Sequence, residues 1–270
     1  MIGAIVGDVV GSRFEWDNTR TKDFKLFTNE CFFTDDTVMS LAICQAFLTT
    51  RSNHYKNLQQ ASIDIMQLLG RKYRDCTYGS RFRQWLNTDH PLPYNSYGNG
   101  AAMRVSACGY VGQTLEEVRA YSKAVTEISH NHPEGLKGAE ATAISVYLAR
   151  TGGSKNVIKS YIQDNYYLID FTIDEIRPSY SFQGSCQGTV PYALQAFFES
   201  NSFEETLRTV MYLGGDSDTL GAIAGAVAGA YYGVPKAIRE NTMKYLDSNL
   251  ICIIEEFERT YRQSQVCIPT

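Results

Sequence analysis

Phe33-Thr34-Asp35-Asp36-Thr37-Val38-Met39-Ser40-Leu41 and its distant echo Gly214-Gly215-Asp216-Ser217-Asp218-Thr219-Leu220 decide how this chain is read. In each, a cluster of oxygen side chains stands where a turn ends and an apolar-periodic run begins, so carboxylates and hydroxyls crown the first turn of a helix. Asp and Thr are ordinary there, because they accept hydrogen bonds from unpaired backbone N–H groups and suit the positive end of the helix dipole. One such cluster reads as a cap. Two hold more anionic capacity than two caps require. If the fold brings them together, their repulsion demands a counter-charge. An all-oxygen set of this kind suits Mg²⁺, Mn²⁺ or Ca²⁺ and lacks the His and Cys that Zn²⁺ prefers.

Outward from these clusters the chain reads as all-α. Ile2, Ile5, Val6, Val9 and Val10 fall at helical spacing, and 13–33 lacks any period and reads as a long loop carrying Glu15 and Trp16. The spacing predicts helices over 34–48, from Asn53 through Leu69, over 77–85, over 101–108, 133–150, 155–166, 190–199, 220–232, 235–246 and 250–262. Thr114 with Glu117 and Ser202 with Glu205 read as capping boxes that open two more. Only the alternation around Phe171 and Ile173 suggests a strand. Nothing alternates strand with helix, no linker divides the chain and no fixed period repeats, so residues 1–270 are expected to form a single compact helical domain.

The 270 residues suffice for a large core, and 44% apolar with 20% charged residues is the balance of a globular protein. A net charge of −4 gives no support to nucleic-acid binding. The seven cysteines include no close pair and no histidine partner at metal spacing, which fits scattered small hydrophobes in a reducing compartment. The start has no basic segment before Asp8, and the longest uncharged run, 219–235, is too short and glycine-rich to span a membrane. A cytoplasmic, monomeric protein is expected.

Several smaller stretches bear on chemistry. Gly221, Gly225 and Gly229 form a stripe that costs its helix about 1 kcal/mol per residue relative to Ala, a cost offset if another helix, such as the glycine-bearing first one, packs backbone to backbone against it. Ser96-Tyr97-Gly98-Asn99-Gly100 is a two-glycine turn before a helix, suited either to a plain turn or to a phosphate with an aromatic ring beside it. Tyr78-Gly79-Ser80 has the same character. Ser129-His130-Asn131-His132-Pro133 reads as a helix entry or as half of a metal site, and His54 and His90 read as surface residues. No G-x-S-x-G elbow or Walker-type loop is present.

Taken in order, Gly3-Ala4-Ile5-Val6-Gly7-Asp8 with Glu15, Thr34-Asp35-Asp36-Thr37, Ser96-Tyr97-Gly98-Asn99-Gly100-Ala101-Ala102-Met103-Arg104, Ser129-His130 and Gly214-Gly215-Asp216-Ser217-Asp218-Thr219 resemble the ADP-ribosylglycohydrolase family. That family includes ADP-ribosyl-acceptor hydrolases and dinitrogenase-reductase-activating glycohydrolases. The resemblance implies an orthogonal helical globule around two divalent ions, Mg²⁺ or Mn²⁺, held by Thr34, Asp35, Asp36, Asp216, Asp218 and Thr219. It implies catalytic roles for Glu15, as proton acceptor or gate, and for Asp36. Gly79, Ser80, Ser96, Tyr97, Gly98, Asn99 and Gly100 match an ADP-ribose groove, with backbone donors on the diphosphate and Tyr97 near the adenine; His130 matches a histidine beside the distal ribose. The implied substrate is an ADP-ribosylated protein or small ADP-ribose conjugate, with arginine preferred as acceptor. Serine-linked or O-acetyl-ADP-ribose, and a non-catalytic ADP-ribose binder, are the competing readings.

Overall fold

The computed structural model describes residues 1–261; Cys267 and the expected helix end at Arg262 lie outside the described residues. Helices follow one another without a strand among those residues, where the only pairing of β type is an isolated antiparallel bridge between Gly98 and Ser185. In chain order they are α1 (Ile2–Gly11), α2 (Asp35–Thr50), α3 (Leu58–Lys72), α4 (Ser80–Asn87), α5 (Gly100–Met103), α6 (Ser106–Val111) and α7 (Leu115–Thr126). After them come α8 (Pro133–Arg150), α9 (Lys155–Asn165), α10 (Ile173–Ile176), α11 (Cys186–Glu199), α12 (Phe203–Leu213), α13 (Ser217–Tyr232), α14 (Lys236–Met243) and α15 (Ser248–Tyr261).

The centre of the molecule is the α1–α13 pair. A Cβ built on Gly3 would run into the carbonyl of Gly225, one on Gly7 into that of Gly221, and one on Gly11 into Ser217 and Asp218. The pairing order is reversed along the two helices, so they lie antiparallel with their backbones in contact. The glycine stripe therefore has the partner its cost called for. The register carries a consequence for the site: the C-terminal end of α1, with Asp8 and the loop holding Glu15, is fixed against the N-terminal end of α13, where Asp216, Asp218 and Thr219 sit.

Around this seam the helices bury one continuous apolar cluster. α2, α8, α11 and α13 are buried nearly all round, with Val38, Leu41, Ile144, Val190, Leu220 and Ile223 fully inaccessible. Helices apolar on every side belong in the middle of a domain. Amphipathic α3, α7, α12 and α15 cover them with one face each.

The local differences from expectation have identifiable causes. The helix expected from Asn53 begins at Leu58, because His54 and Tyr55 take left-handed backbone angles, φ 55° and 61°. The run 101–108 breaks into α5 and α6 at Arg104 and Val105. α11 begins at Cys186, not Val190, with the Ser185 hydroxyl accepting from the amide of Gly188 and Pro191 inside the helix. The strand suggested near Phe171 does not form: Ile173 starts α10 behind a complete capping box of Thr172 and Glu175, and Phe171 packs on Tyr192. The two expected capping boxes are half formed. Thr114 and Ser202 accept from the amides of Glu117 and Glu205, but those glutamates turn back one residue further, to the amides of Gln113 and Asn201. The cysteines at 31, 44, 76, 108, 186 and 252 are free thiols. No helix among the described residues is long and apolar enough to cross a membrane.

Candidate functional site

The two acidic clusters meet. Asp35 and Asp36 open α2, Asp216 caps α13, and Asp218 and Thr219 lie in its first turn. The Thr219 hydroxyl donates to Asp36 Oδ2 at 3.2 Å, a contact between residues 183 positions apart. Glu15, on the loop after α1, brings a carboxylate oxygen within 4.8 Å of oxygens from Asp216 and Asp218, an arrangement able to hold a metal ion. Asp36, Asp216, Asp218 and Thr219 are all buried.

No cation of the protein offsets this charge: among the described residues, none of these carboxylates forms a salt bridge. Burial, and then the neighbouring Asp8, push the Asp35 carboxyl up to about 7. Burial, then Asp216 and Asp35, push Glu15 up to about 7. Asp36 and Asp218 rise well above the usual carboxylate range, again through burial first and the other aspartates second. Asp36 Oδ1 is buried without a hydrogen-bond partner. An orphaned carboxylate oxygen inside a ring of unpaired carboxylates is what a hard divalent cation fits, since such ions bind oxygen donors and supply the missing positive charge.

A pH dependence follows. Folded Asp35 and Glu15 hold their protons up to about 7, against ordinary values of 3.8 and 4.5, so the folded chain binds more protons than the unfolded one across that window. Stability of the protein in EDTA must then fall as pH rises from about 5 through 7. Melting in EDTA is expected at a higher temperature at pH 5.5 than at pH 8, with Mg²⁺ raising the pH 8 value most. A melting temperature in EDTA that climbs with pH over this range would contradict the assignment.

Beside the acidic centre opens a cavity of about 440 Å³ lined by Glu15, Asp35, Asp36, Asp216, Asp218 and Thr219 together with Gly79, Ser80, Ser96, Gly98, Asn99, Gly100 and His130. The glycine turn is tied to the acidic centre and to the segment before α11. Asn99 Nδ2 donates to Asp216 Oδ2 at 2.7 Å, and the Asn99 amide donates to the Gly184 carbonyl at 2.9 Å. This volume is within the range of small-molecule sites.

Comparison with known proteins bears on this arrangement. The family model described as ADP-ribosylglycohydrolase matches residues 1–265. The chain belongs to the ADP-ribosylglycohydrolase family. It is similar to the human ADP-ribosylhydrolase ARH3, with 24% identity over 98% of this chain and 93% of that protein. It is also similar to the ADP-ribosyl-[dinitrogen reductase] glycohydrolase of Rhodospirillum rubrum, at 29% identity over 74% and 69% of the two chains. A solved structure titled ADP-ribosylglycohydrolase-related protein complex shares the fold, with a TM-score of 0.68 and 21% identity over 96% of this chain and 95% of that one.

Two expected site residues do not line the cavity. The Thr34 hydroxyl, expected at the metal, donates to Asp8 Oδ1 at 2.8 Å and accepts from the Asp36 amide, 3.5 Å from Asp36 Oδ2, and Thr34 does not line the cavity. It caps α2 and aims Asp36. Tyr97 also lies outside the cavity lining, half exposed, with its ring edge-on to His132 at 5.2 Å. Two backbone donors of the turn are already used, Gly98 N on Ser96 Oγ and Asn99 N on Gly184 O.

Other residues at the site have no role that the sequence assigns. Asp8 is fully buried and accepts from the amides of Thr34 and Thr37 at 3.0 Å each and from both their hydroxyls, so it joins α1 to the start of α2. Asn18 binds the Gly215 amide and carbonyl at 2.7 and 2.9 Å, clamping the Glu15 loop to the turn before α13. Trp16 and Phe182 stack at 5.2 Å over the cavity, both well exposed. The adjacency of Asp8 to the glycine seam and of Trp16 to Glu15 were the available signals; the long-range partners Phe182 and Gly215 leave none.

Proposed function

We propose that this protein hydrolyses the glycosidic bond between ADP-ribose and a protein side chain, with arginine as the acceptor, and releases ADP-ribose. The observation that carries the reading is one cavity lined both by carboxylates without an ion-pair partner and by a glycine turn and a helix N-terminus. Two divalent ions, Mg²⁺ or Mn²⁺, held by Asp35, Asp36, Asp216, Asp218 and Thr219 would supply the counter-charge and polarise the ribose hydroxyls and water at the scissile carbon. Glu15, with its proton affinity near neutrality, would be the proton acceptor, a role its nearness to Asp216 and Asp218 supports. The Thr34 hydroxyl accepts from the Asp36 amide, Asp8 holds Thr34 and Thr37 on either side of it, and Asn99 Nδ2 donates to Asp216. Gly79 and Ser80 at the start of α4 offer the first-turn amides to an anionic diphosphate.

Arginine is favoured as acceptor by Trp16 and Phe182. Their stacked, exposed rings flank the Glu15 end of the cavity, and a guanidinium both stacks on aromatic faces and pairs with carboxylates, whereas a serine hydroxyl does neither. ADP-ribose titrated by calorimetry is expected to bind in Mg²⁺ and to bind at least tenfold more weakly in EDTA. Arginine-ADP-ribosylated peptide should be turned over and serine-ADP-ribosylated peptide left intact. Turnover of the serine peptide alone would overturn the acceptor assignment; ADP-ribose binding without turnover of any conjugate would make the protein a binder.

A further inference from the structure

Arg104 is the largest fully buried side chain of the protein and forms no ion pair among the described residues. It follows α5 and lines the cavity beside His130, with its guanidinium over the Phe82 ring at 5.5 Å. Nε and Nη1 have no hydrogen-bond partner. Nη2 donates to Ser129 Oγ at 2.8 Å and stands 3.4 Å from His130 Nδ1, while Ser129 Oγ and His130 Nδ1 are themselves 2.8 Å apart. A buried charge without a carboxylate is costly, so the position calls for a role that repays it.

Hydrogen-bond chemistry settles what this triad does to the histidine. Arginine has only donors, so Nη2 facing Nδ1 favours a ring nitrogen without a proton there. Ser129 Oγ accepts from Arg104, and its own hydrogen is then free to donate to Nδ1. In a neutral imidazole the proton must sit on the other nitrogen. Nε2 lies beside Gly98 and Gly100, where an added Cβ would meet it at 3.5 and 3.6 Å, and His130 lines the cavity. We propose that Arg104 is a positioning residue which, through Ser129, locks His130 in the tautomer whose Nε2–H donates into the ligand cavity. The same surroundings hold the imidazole uncharged. Burial, with Arg104 second, lowers its proton affinity well below the usual histidine range, and the other ionisable group packed on the ring, Tyr94 at 5.7 Å, is an aromatic face that adds no negative charge near neutrality.

What the Nε2–H meets, a ribose or phosphate oxygen, rests on the ADP-ribose reading above. The tautomer does not, and it is tested without ligand. Two-bond ¹H–¹⁵N spectra of the full chain labelled at histidine nitrogens, with His130 assigned by its loss in His130→Gln, are expected to show a protonated Nε2, a bare Nδ1 and no change from pH 5 to 8. Ser129→Ala should give a mixture of tautomers and weaken ADP-ribose binding by roughly tenfold, in keeping with the loss of a group that orients a ligand-binding histidine. A protonated Nδ1 in the parent protein, or titration with a midpoint near the ordinary 6.5, overturns the proposal whether or not Ser129→Ala folds.

Discussion

Asp36→Asn is expected to abolish hydrolysis, lowering kcat/KM by roughly 10³-fold or more, the scale at which a single group aimed at developing charge is worth ~4 kcal/mol. The same variant in EDTA at pH 8 should melt no lower than the parent. The two halves of this result come from one cause. Asn keeps the shape of the side chain and an oxygen that can still accept from the Thr219 hydroxyl, but it removes one charge from a buried ring in which each aspartate raises its neighbours' proton affinity. A residue needed mainly for folding would lose stability with activity. Steady-state hydrolysis of ADP-ribosylated peptide, set beside thermal melts with and without Mg²⁺, reads both; activity above a tenth of the parent's, or a large drop in the EDTA melting temperature, would sink the metal-ligand role of Asp36.

The second large effect is on the fold. Gly7→Ala places a Cβ inside contact distance of the Gly221 carbonyl and 2.8 Å from the Ala222 amide nitrogen, all backbone atoms of the facing helix that cannot swing aside. Separating α1 from α13 would open the centre of the core, so a loss of about 3 kcal/mol or more is expected, a fall in Tm on the order of 10 °C. Because α1 carries Asp8 and the Glu15 loop while α13 carries Asp216, Asp218 and Thr219, divalent-ion affinity should fall with it. Gly79→Ala is the control. There an added Cβ meets nothing within 4 Å and φ is −54°, so its stability change should stay within about 0.5 kcal/mol. Equal melting temperatures for Gly7→Ala and the parent would mean the seam is not the organising contact.

Much of this arrangement was legible before the coordinates. The helical class follows from apolar spacing, and the glycine stripe of Gly221, Gly225 and Gly229 asked for a close helix partner because three glycines in one helix are too costly otherwise. The demand for a counter-charge followed from counting carboxylates. What escaped were contacts whose second half lies far away in sequence. Asp8 reads as an interruption in an apolar helix until Thr34 and Thr37 are seen to hydrogen-bond it. Thr34 and Asp35 are adjacent, yet one turns to Asp8 and the other lines the cavity, because a helix cap sends successive side chains in different directions. Tyr97 stands at the rim, beside His132, since membership in a turn does not fix which way a side chain points. Arg104 stands at the end of a quoted motif, but nothing local marks an arginine for complete burial.

The claim on which the rest depends is that the two acidic segments together hold divalent cations. Anomalous scattering from crystals of the full chain soaked in MnCl₂ tests it most directly. Peaks are expected among the carboxylates of Asp35, Asp36, Asp216 and Asp218, with none elsewhere of comparable height. Fully occupied manganese at other sites, and flat maps at these four side chains, would contradict it.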